Sequence, residues 1–230
     1  RGFHWVGREL TPDDAHSANQ NFGLWQRLGP QRGSARIVQG DSRDDNGLRA
    51  GSFKAAIASP PYGQTLTNAG EGPGARWDTK HHLPGNSHKI SSRRDYGRDP
   101  ANLANLSTRR GRHGEPSAFE RSALAVIHQT HRLLCDDGIA VWVTKDYVRR
   151  GKRVPFSDSW EGLCVATGFH CIGRVQATFV DSRADQLDLF GGRHNRDRQH
   201  KSHWRRAMEE QGAPAIDWED VRFFVKRTES

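Results

Sequence analysis

Residues 53–63 read FKAAIASPPYG. The small and apolar run predicts a buried strand over 53–58, which passes directly into Ser59-Pro60-Pro61-Tyr62-Gly63. Two consecutive prolines cannot continue a sheet ladder, because neither has an N–H to donate. What remains is a hydroxyl followed by a backbone carbonyl on a turn of fixed φ, with no competing donor. That pair of acceptors suits an exocyclic aromatic amine, a poor nucleophile because its lone pair is conjugated into the ring. The Ser59 hydroxyl and the Pro60 carbonyl would draw its two hydrogens into place and leave the lone pair facing an electrophile. The Tyr62 ring would stack on the face of a base, and Gly63 permits close approach of a chain. Such catalysis is mostly positioning, with no covalent intermediate. Taken alone, the turn also reads as a plain strand terminator, since Pro-Pro is ordinary loop chemistry.

Two carboxylates precede this turn at comparable places. A strand over His4–Val6 runs on toward Glu9, and "ARIVQGDSRD" (35–44) reads as a strand ending in a polar turn at Asp41. A strand-end carboxylate is commonly a cap or turn former. Here Glu9, Asp41 and Ser59 all fall at the carboxyl ends of successive strands, where open α/β sheets bind ligands.

The elements that must position them alternate in type. Thr11-Pro12-Asp13-Asp14 supplies a capping hydroxyl, a proline at the first helical position and first-turn acids, so a helix is expected to about Leu28. Helical spacing returns over 116–138, where Phe119, Leu124, Ile127, His131 and Leu134 share a face and Asp136-Asp137-Gly138 end the helix. "IAVWVTKD" (139–146) is a strand, 157–168 a helix stopped at Gly168, "FHCIGRVQATFV" (169–180) a strand, and "VRFFVKR" (221–227) a last strand. Residues 64–116 are polar and aperiodic, and a segment of that length inside a compact domain is usually functional or disordered. Repeated strand–helix–strand order predicts an α/β fold with a parallel sheet and helices on both faces.

These segments together resemble the SPPY-type S-adenosylmethionine-dependent DNA amino-methyltransferases, the N4-cytosine/N6-adenine DNA methylase family, whose catalytic motif is (D/N/S)-P-P-(Y/F). "GFHWVGREL" is similar to that family's second strand and "IVQGDSRD" to its next segment, and "YGRDPANLANLS" (96–107), "HRLLCDDGIAVWVTKDYVRRGK" (131–152) and "IDWEDVRFFVKR" (216–227) to later ones. The resemblance covers nearly the whole chain, in order. It implies a Rossmann-like class I methyltransferase sheet, with a long polar insertion after the catalytic strand. It implies S-adenosyl-L-methionine as cofactor, with Glu9 at the ribose hydroxyls, Asp41 at the adenine amino group, and Leu10, Ser42 and Ser59 also among its binding residues. Ser59, Pro60, Pro61 and Tyr62 become the catalytic turn, and the reaction is methyl transfer to N4 of cytosine or N6 of adenine. The family's glycine-rich loop has no counterpart: Gly70-Glu71-Gly72-Pro73-Gly74 follows the catalytic turn and no strand precedes it. Residues 1–10 match the second strand, so the first strand and its loop are expected upstream of Arg1. The rivals are a permuted enzyme with its cofactor half after residue 230, and a chain that has lost catalysis. The expected parts are 1–63, carrying cofactor and catalytic residues; 64–116, a DNA-recognition insertion; and 117–230, the remainder, with a basic insertion at about 181–206.

Charge agrees with a polyanionic partner. Among 230 residues, 35 are Lys or Arg and 27 Asp or Glu, a net charge of +8, which biases binding toward nucleic acid. The cations concentrate at 93–113 (Arg93, Arg94), 145–153 (Arg149, Arg150, Lys152) and 193–206 (Arg196, Lys201, Arg205). Such groups give salt-dependent, sequence-blind phosphate contacts, and a base inside a stacked helix must be flipped to reach the turn. DNA is the expected partner; membership of a restriction–modification system would add a cognate nuclease. An RNA base methyltransferase and a non-catalytic nucleic-acid-binding module are the alternatives. The mean hydropathy is −0.85 and no run approaches the ~20 apolar residues of a membrane span. The three cysteines form no CxxC pair, so a reduced, cytoplasmic setting without metal is expected.

Overall fold

The computed structural model describes residues 2–27, 33–45, 47–61, 101–149, 152–178, 180–181, 198–199, 212 and 214–227. The chain divides into two compact units: Arg1–Ser52 with Pro61–Leu133, and Phe53–Pro60 with Leu134–Ser230.

The first unit opens with strand β1 (Phe3–Glu9), helix α1 (Pro12–Arg27) and strand β2 (Gly33–Gln39). β1 and β2 are parallel, in register from Phe3 opposite Gly33 to Glu9 opposite Gln39. Gly33 is required there, because a Cβ would lie 2.1 Å from the Phe3 carbonyl oxygen. At the start of α1 the Asp14 N–H donates to Thr11 Oγ1 at 3.2 Å, and the Thr11 hydroxyl donates to Asp14 Oδ2 at 2.7 Å, a cap that satisfies an orphan donor of the first turn. The same logic starts α2 (Ala118–Leu133). There the Glu120 N–H donates to Ser117 Oγ at 3.1 Å and the Ser117 N–H to Glu120 Oε2 at 2.7 Å, a reciprocal capping box. Phe119, Ala123 and Ile127 are the buried face of α2, and its C-terminus ties down the preceding loop: the Arg132 carbonyl accepts from the Gly51 N–H at 3.0 Å, and the Arg132 guanidinium pairs with Asp45.

The second unit is a four-stranded sheet in the order β3 (Phe53–Ala58), β4 (Leu134–Thr144), β10 (Trp218–Lys226), β7 (Phe169–Thr178). Between these strands lie a hairpin of β5 (Tyr147–Arg149) and β6 (Lys152–Val154), helix α3 (Phe156–Ala166), and the short pair β8 (Val180–Asp181) and β9 (Arg198–Gln199). Leu134, Ala140, Trp142, Phe156, Trp160, Cys164, Phe169, Phe224 and Val225 are its buried apolar residues among those described, with the Trp142 and Trp160 rings meeting edge-on at 5.1 Å.

The Rossmann-like alternation of strands and helices is present, with four departures from the sequence reading. The sheet is mixed: β3 and β4 are parallel, but β10 runs antiparallel to both β4 and β7. Helix α2 ends at Leu133, not at Asp136-Asp137-Gly138. Leu134 already pairs with Phe53, and the register then jumps to Ile139 opposite Ala55, so the intervening residues bulge out with Asp137 at φ 58°. β3 is not a buried strand, since β4 is its one partner among the described residues and Ile57 is 58% exposed. The β5–β6 hairpin stands where no strand was expected.

Candidate active site

The carboxyl end of the parallel pair in the first unit gathers Glu9, Leu10, Asp41 and Ser42. β1 ends on Glu9 and β2 on Gln39, and the Gly40 N–H donates to the Glu9 carbonyl at 2.9 Å, so the two chains leave the sheet side by side. The Glu9 carboxylate makes no hydrogen bond to a described residue. Burial first, then the neighbouring Asp14 charge, raise its pKa above the usual glutamate value. Asp41 is the opposite case. Its Oδ1 accepts the Arg43 backbone N–H at 2.9 Å and Arg43 Nε at 3.0 Å, its Oδ2 pairs with the Arg43 guanidinium, and Arg43 reaches on to Ser122 Oγ of α2 at 3.1 Å. The side-chain bond from Arg43 is the largest influence on this carboxyl and outweighs its partial burial, holding it below the usual aspartate range. Arg8 completes the turn, donating to the carbonyls of Asp41 at 3.3 Å and Asp44 at 3.2 Å.

Ser59 and Pro60 belong to the second unit, at the carboxyl end of β3. Ala58 is opposite Trp142 in the parallel register, so continuing that register sets Ser59 level with Val143 and Pro60 level with Thr144. Ser59 is exposed and its hydroxyl makes no hydrogen bond to a described residue, whereas Pro60 is buried. Pro61 is half-buried. Tyr62, Arg93, Arg94, Arg150, Arg196, Lys201 and Arg205 lie outside the described residues, as does most of the expected 64–116 insertion. Of the remaining basic candidates, Arg149 ends β5 and Lys152, exposed, starts β6 directly opposite it.

Four of the five cofactor candidates therefore gather at one strand end of the first unit, and Ser59, the fifth, lies at the carboxyl end of β3 in the second.

Sequence reasoning passed over two groups here. Arg43 closes on Asp41; the signal was its position two residues on, the spacing at which an aspartate side chain bonds the backbone of a turn. Asp146 is the other, buried where β4 ends, with Oδ1 accepting the Ser157 N–H at 3.0 Å and Oδ2 accepting Arg153 Nε at 2.7 Å. The three cysteines are free thiols, and burial pushes the Cys164 thiol far up, away from nucleophilic use. Among the described residues no group of three or more His, Cys, Asp and Glu could hold a metal ion, and no helix is long and apolar enough to cross a membrane.

No family model and no curated protein matches this sequence. Among solved structures, the chain is similar to TTHA0409 of Thermus thermophilus, proposed as a DNA modification methylase, at 15% identity and TM-score 0.42, over 83% of this chain and 53% of that one. The same protein complexed with S-adenosyl-L-methionine gives 14% identity and TM-score 0.41, over 100% and 57%. A SAM-dependent methyltransferase of Methanosarcina mazei gives 8% identity and TM-score 0.49, over 99% and 84%. The chain spans about half the length of TTHA0409. Likenesses of this depth say nothing of substrate.

Proposed function

We propose that this chain is an S-adenosyl-L-methionine-dependent methyltransferase acting on the exocyclic amino group of a flipped DNA base, N4 of cytosine or N6 of adenine. The observation that carries the reading is Ser59: an exposed hydroxyl with no hydrogen bond to a described residue, at the carboxyl end of a parallel strand and followed by a buried proline. A residue that merely ended the strand would normally turn its hydroxyl back onto the local backbone. The ordered resemblance of the flanking segments to SPPY-type methylases supports the same reading.

S-adenosyl-L-methionine, when bound, supplies an electrophilic methyl group. Glu9, with no hydrogen-bond partner among the described residues, fits the two hydroxyls of a ribose, because a carboxylate offers two acceptor oxygens. Asp41 fits less well, because Arg43 already takes both of its oxygens. Its role is then to shape the loop whose backbone meets the adenine, or Arg43 must yield when the cofactor enters. The Ser59 hydroxyl and Pro60 carbonyl accept the two amino hydrogens of the base, and the fixed φ of Pro60 and Pro61 holds those acceptors without reorganisation. Tyr62 stacks on the base.

The closure of Asp41 by Arg43 also favours a second reading, a nucleic-acid-binding module that keeps the fold without catalysis. One experiment separates the readings. The protein is incubated with labelled S-adenosyl-L-methionine and unmethylated DNA, with RNA in parallel, and the products are digested and identified by mass spectrometry. N4-methylcytosine or N6-methyladenine in DNA is the expected result. Label in RNA alone assigns an RNA enzyme, and DNA binding without label assigns the module. With activity in hand, Pro60→Ala and Tyr62→Ala are expected to lower methyl transfer by at least about 10²-fold, the usual loss when positioning fails, while nonspecific DNA binding persists.

A further inference from the structure

The sheet end that carries Ser59 and Pro60 also carries a basic hairpin, and one buried carboxylate fastens it. β4 ends at Thr144, two residues before Asp146, after which the chain turns through β5 and β6 and enters α3 at Phe156. The Asp146 side chain is 3% exposed. It holds three things: the Ser157 N–H in the first turn of α3 at 3.0 Å, Arg153 Nε of β6 at 2.7 Å, and Arg153 Nη2 at 2.6 Å. Arg153 in turn lies over the Trp218 ring at the start of β10, 5.4 Å from its centre, a cation–π contact. Tyr147 of β5 packs against Phe156 with ring centres 6.2 Å apart. A three-residue hairpin has little stability of its own; here both of its strands are clamped to the body of the unit. Burial alone would raise the Asp146 pKa, but the Ser157 N–H and Arg153 reverse that and leave it lowered, so the clamp is ionic at neutral pH.

The consequence lies in how the cations are shared out. The stretch 145–153 holds Lys145, Arg149, Arg150, Lys152 and Arg153 against the single acid Asp146. Arg153 is turned inward onto that acid. Lys152, its neighbour in β6, is exposed.

We infer that Asp146 is a positioning residue: by holding Arg153 it presents β6, with Lys152, as a phosphate-contact surface for the DNA strand that enters beside the Ser59–Pro60 turn. This rests on the DNA reading above for the identity of the strand, but its test reads binding rather than methylation.

The experiment measures the affinity of the purified protein for a fluorescein-labelled DNA duplex between 50 and 300 mM NaCl, for the wild type, Asp146→Asn, Asp146→Asn/Arg153→Gln and Lys152→Gln. Removing one cation–phosphate pairing should flatten the slope of log affinity against log salt by about 0.9. Lys152→Gln, at an exposed position, should flatten it by about one such pairing. Asp146→Asn retains an acceptor for the Ser157 N–H but removes the charge, and should flatten the slope by at least as much. The double variant leaves no orphaned guanidinium, so it should recover thermal stability and keep the flattened slope. A wild-type slope in Lys152→Gln, or in both Asp146 variants, would overturn the inference, as would a wild type that fails to bind DNA. Flattened slopes in a protein that transfers no methyl group would leave the inference standing and refute the enzyme.

Discussion

Among the described residues the second unit buries more of its apolar side chains than the first, and each leaves four large ones exposed. In the second, the sheet and α3 enclose Trp142, Trp160, Phe156, Cys164 and Phe224, and they also enclose Arg222, whose guanidinium is paired with Asp158 and Glu161 of α3. In the first, the parallel pair and α1 leave Phe3 74%, Trp5 51%, Leu24 53% and Trp25 50% exposed, and α1 buries only Ala15. Two strands and one helix bury too little surface to form a core of their own. The candidate cofactor carboxylates thus sit on the loosely enclosed unit, and the proposed catalytic turn on the enclosed one. At the turn it is Pro60 that is buried, while the Glu9 carboxylate makes no hydrogen bond to a described residue.

The largest effects should therefore come from the second unit. Trp160→Ala empties a site 1% exposed that touches both Trp142 and Phe156, and should cost about 3–5 kcal/mol of stability in chemical denaturation. Arg222→Ala should cost about 3 kcal/mol, because it leaves the α3 carboxylates without their cation and opens a cavity. Arg222→Met, which keeps the volume, should lose much less. Equal losses in the two Arg222 variants would show that the ion pair, not the space it fills, carries the contribution.

Much of this enclosure was legible in the sequence. The β-branched run 139–144, the helical face of Phe119 and Ile127 and the cap at Thr11 are local patterns, and each element formed where its pattern lies. What escaped depended on partners distant in sequence. The early start of β4 follows from Leu134 pairing with Phe53, 81 positions away. The exposure of β3 follows from sheet order, which composition does not encode. The hairpin at 147–154 carries no apolar alternation because its strands are held by Asp146 and Trp218 instead of a core. At the candidate site, the placement of Glu9, Asp41 and Ser59 at strand ends was readable from strand boundaries; the engagement of Asp41 by Arg43, and the lack of any such partner for Glu9 among the described residues, was not.

The two carboxylates Glu9 and Asp146 should also respond to pH with opposite signs. Asp146 has a lowered pKa in the folded protein, so its contribution is present above the ordinary aspartate pKa of about 3.9 and is lost as pH falls below it. The stability gap between wild type and Asp146→Asn should shrink between pH 6 and pH 3. Glu9 has a raised pKa. Its folded form keeps the proton longer than the unfolded chain does, so its destabilising effect appears as pH climbs through about 4.3. Glu9→Gln should gain on the wild type between pH 3.5 and pH 7. Thermal unfolding of the two variants across this range reads both slopes, and slopes of the same sign would erase the contrast between the units.

The smallest effect tests an exposed strand residue in each unit. Phe3→Thr and Ile57→Thr replace apolar residues 74% and 58% exposed on β1 and β3. Threonine keeps the β-branched preference for strands, and substitutions on an uncovered surface usually stay within about 0.5 kcal/mol. Denaturation midpoints should therefore barely move, and solubility should rise as exposed apolar area falls. A loss beyond about 2 kcal/mol in either variant would mean that the strand face is covered in solution. Repeating the measurement at several protein concentrations would then tell whether a second copy provides the cover, since a stability that rises with concentration marks association.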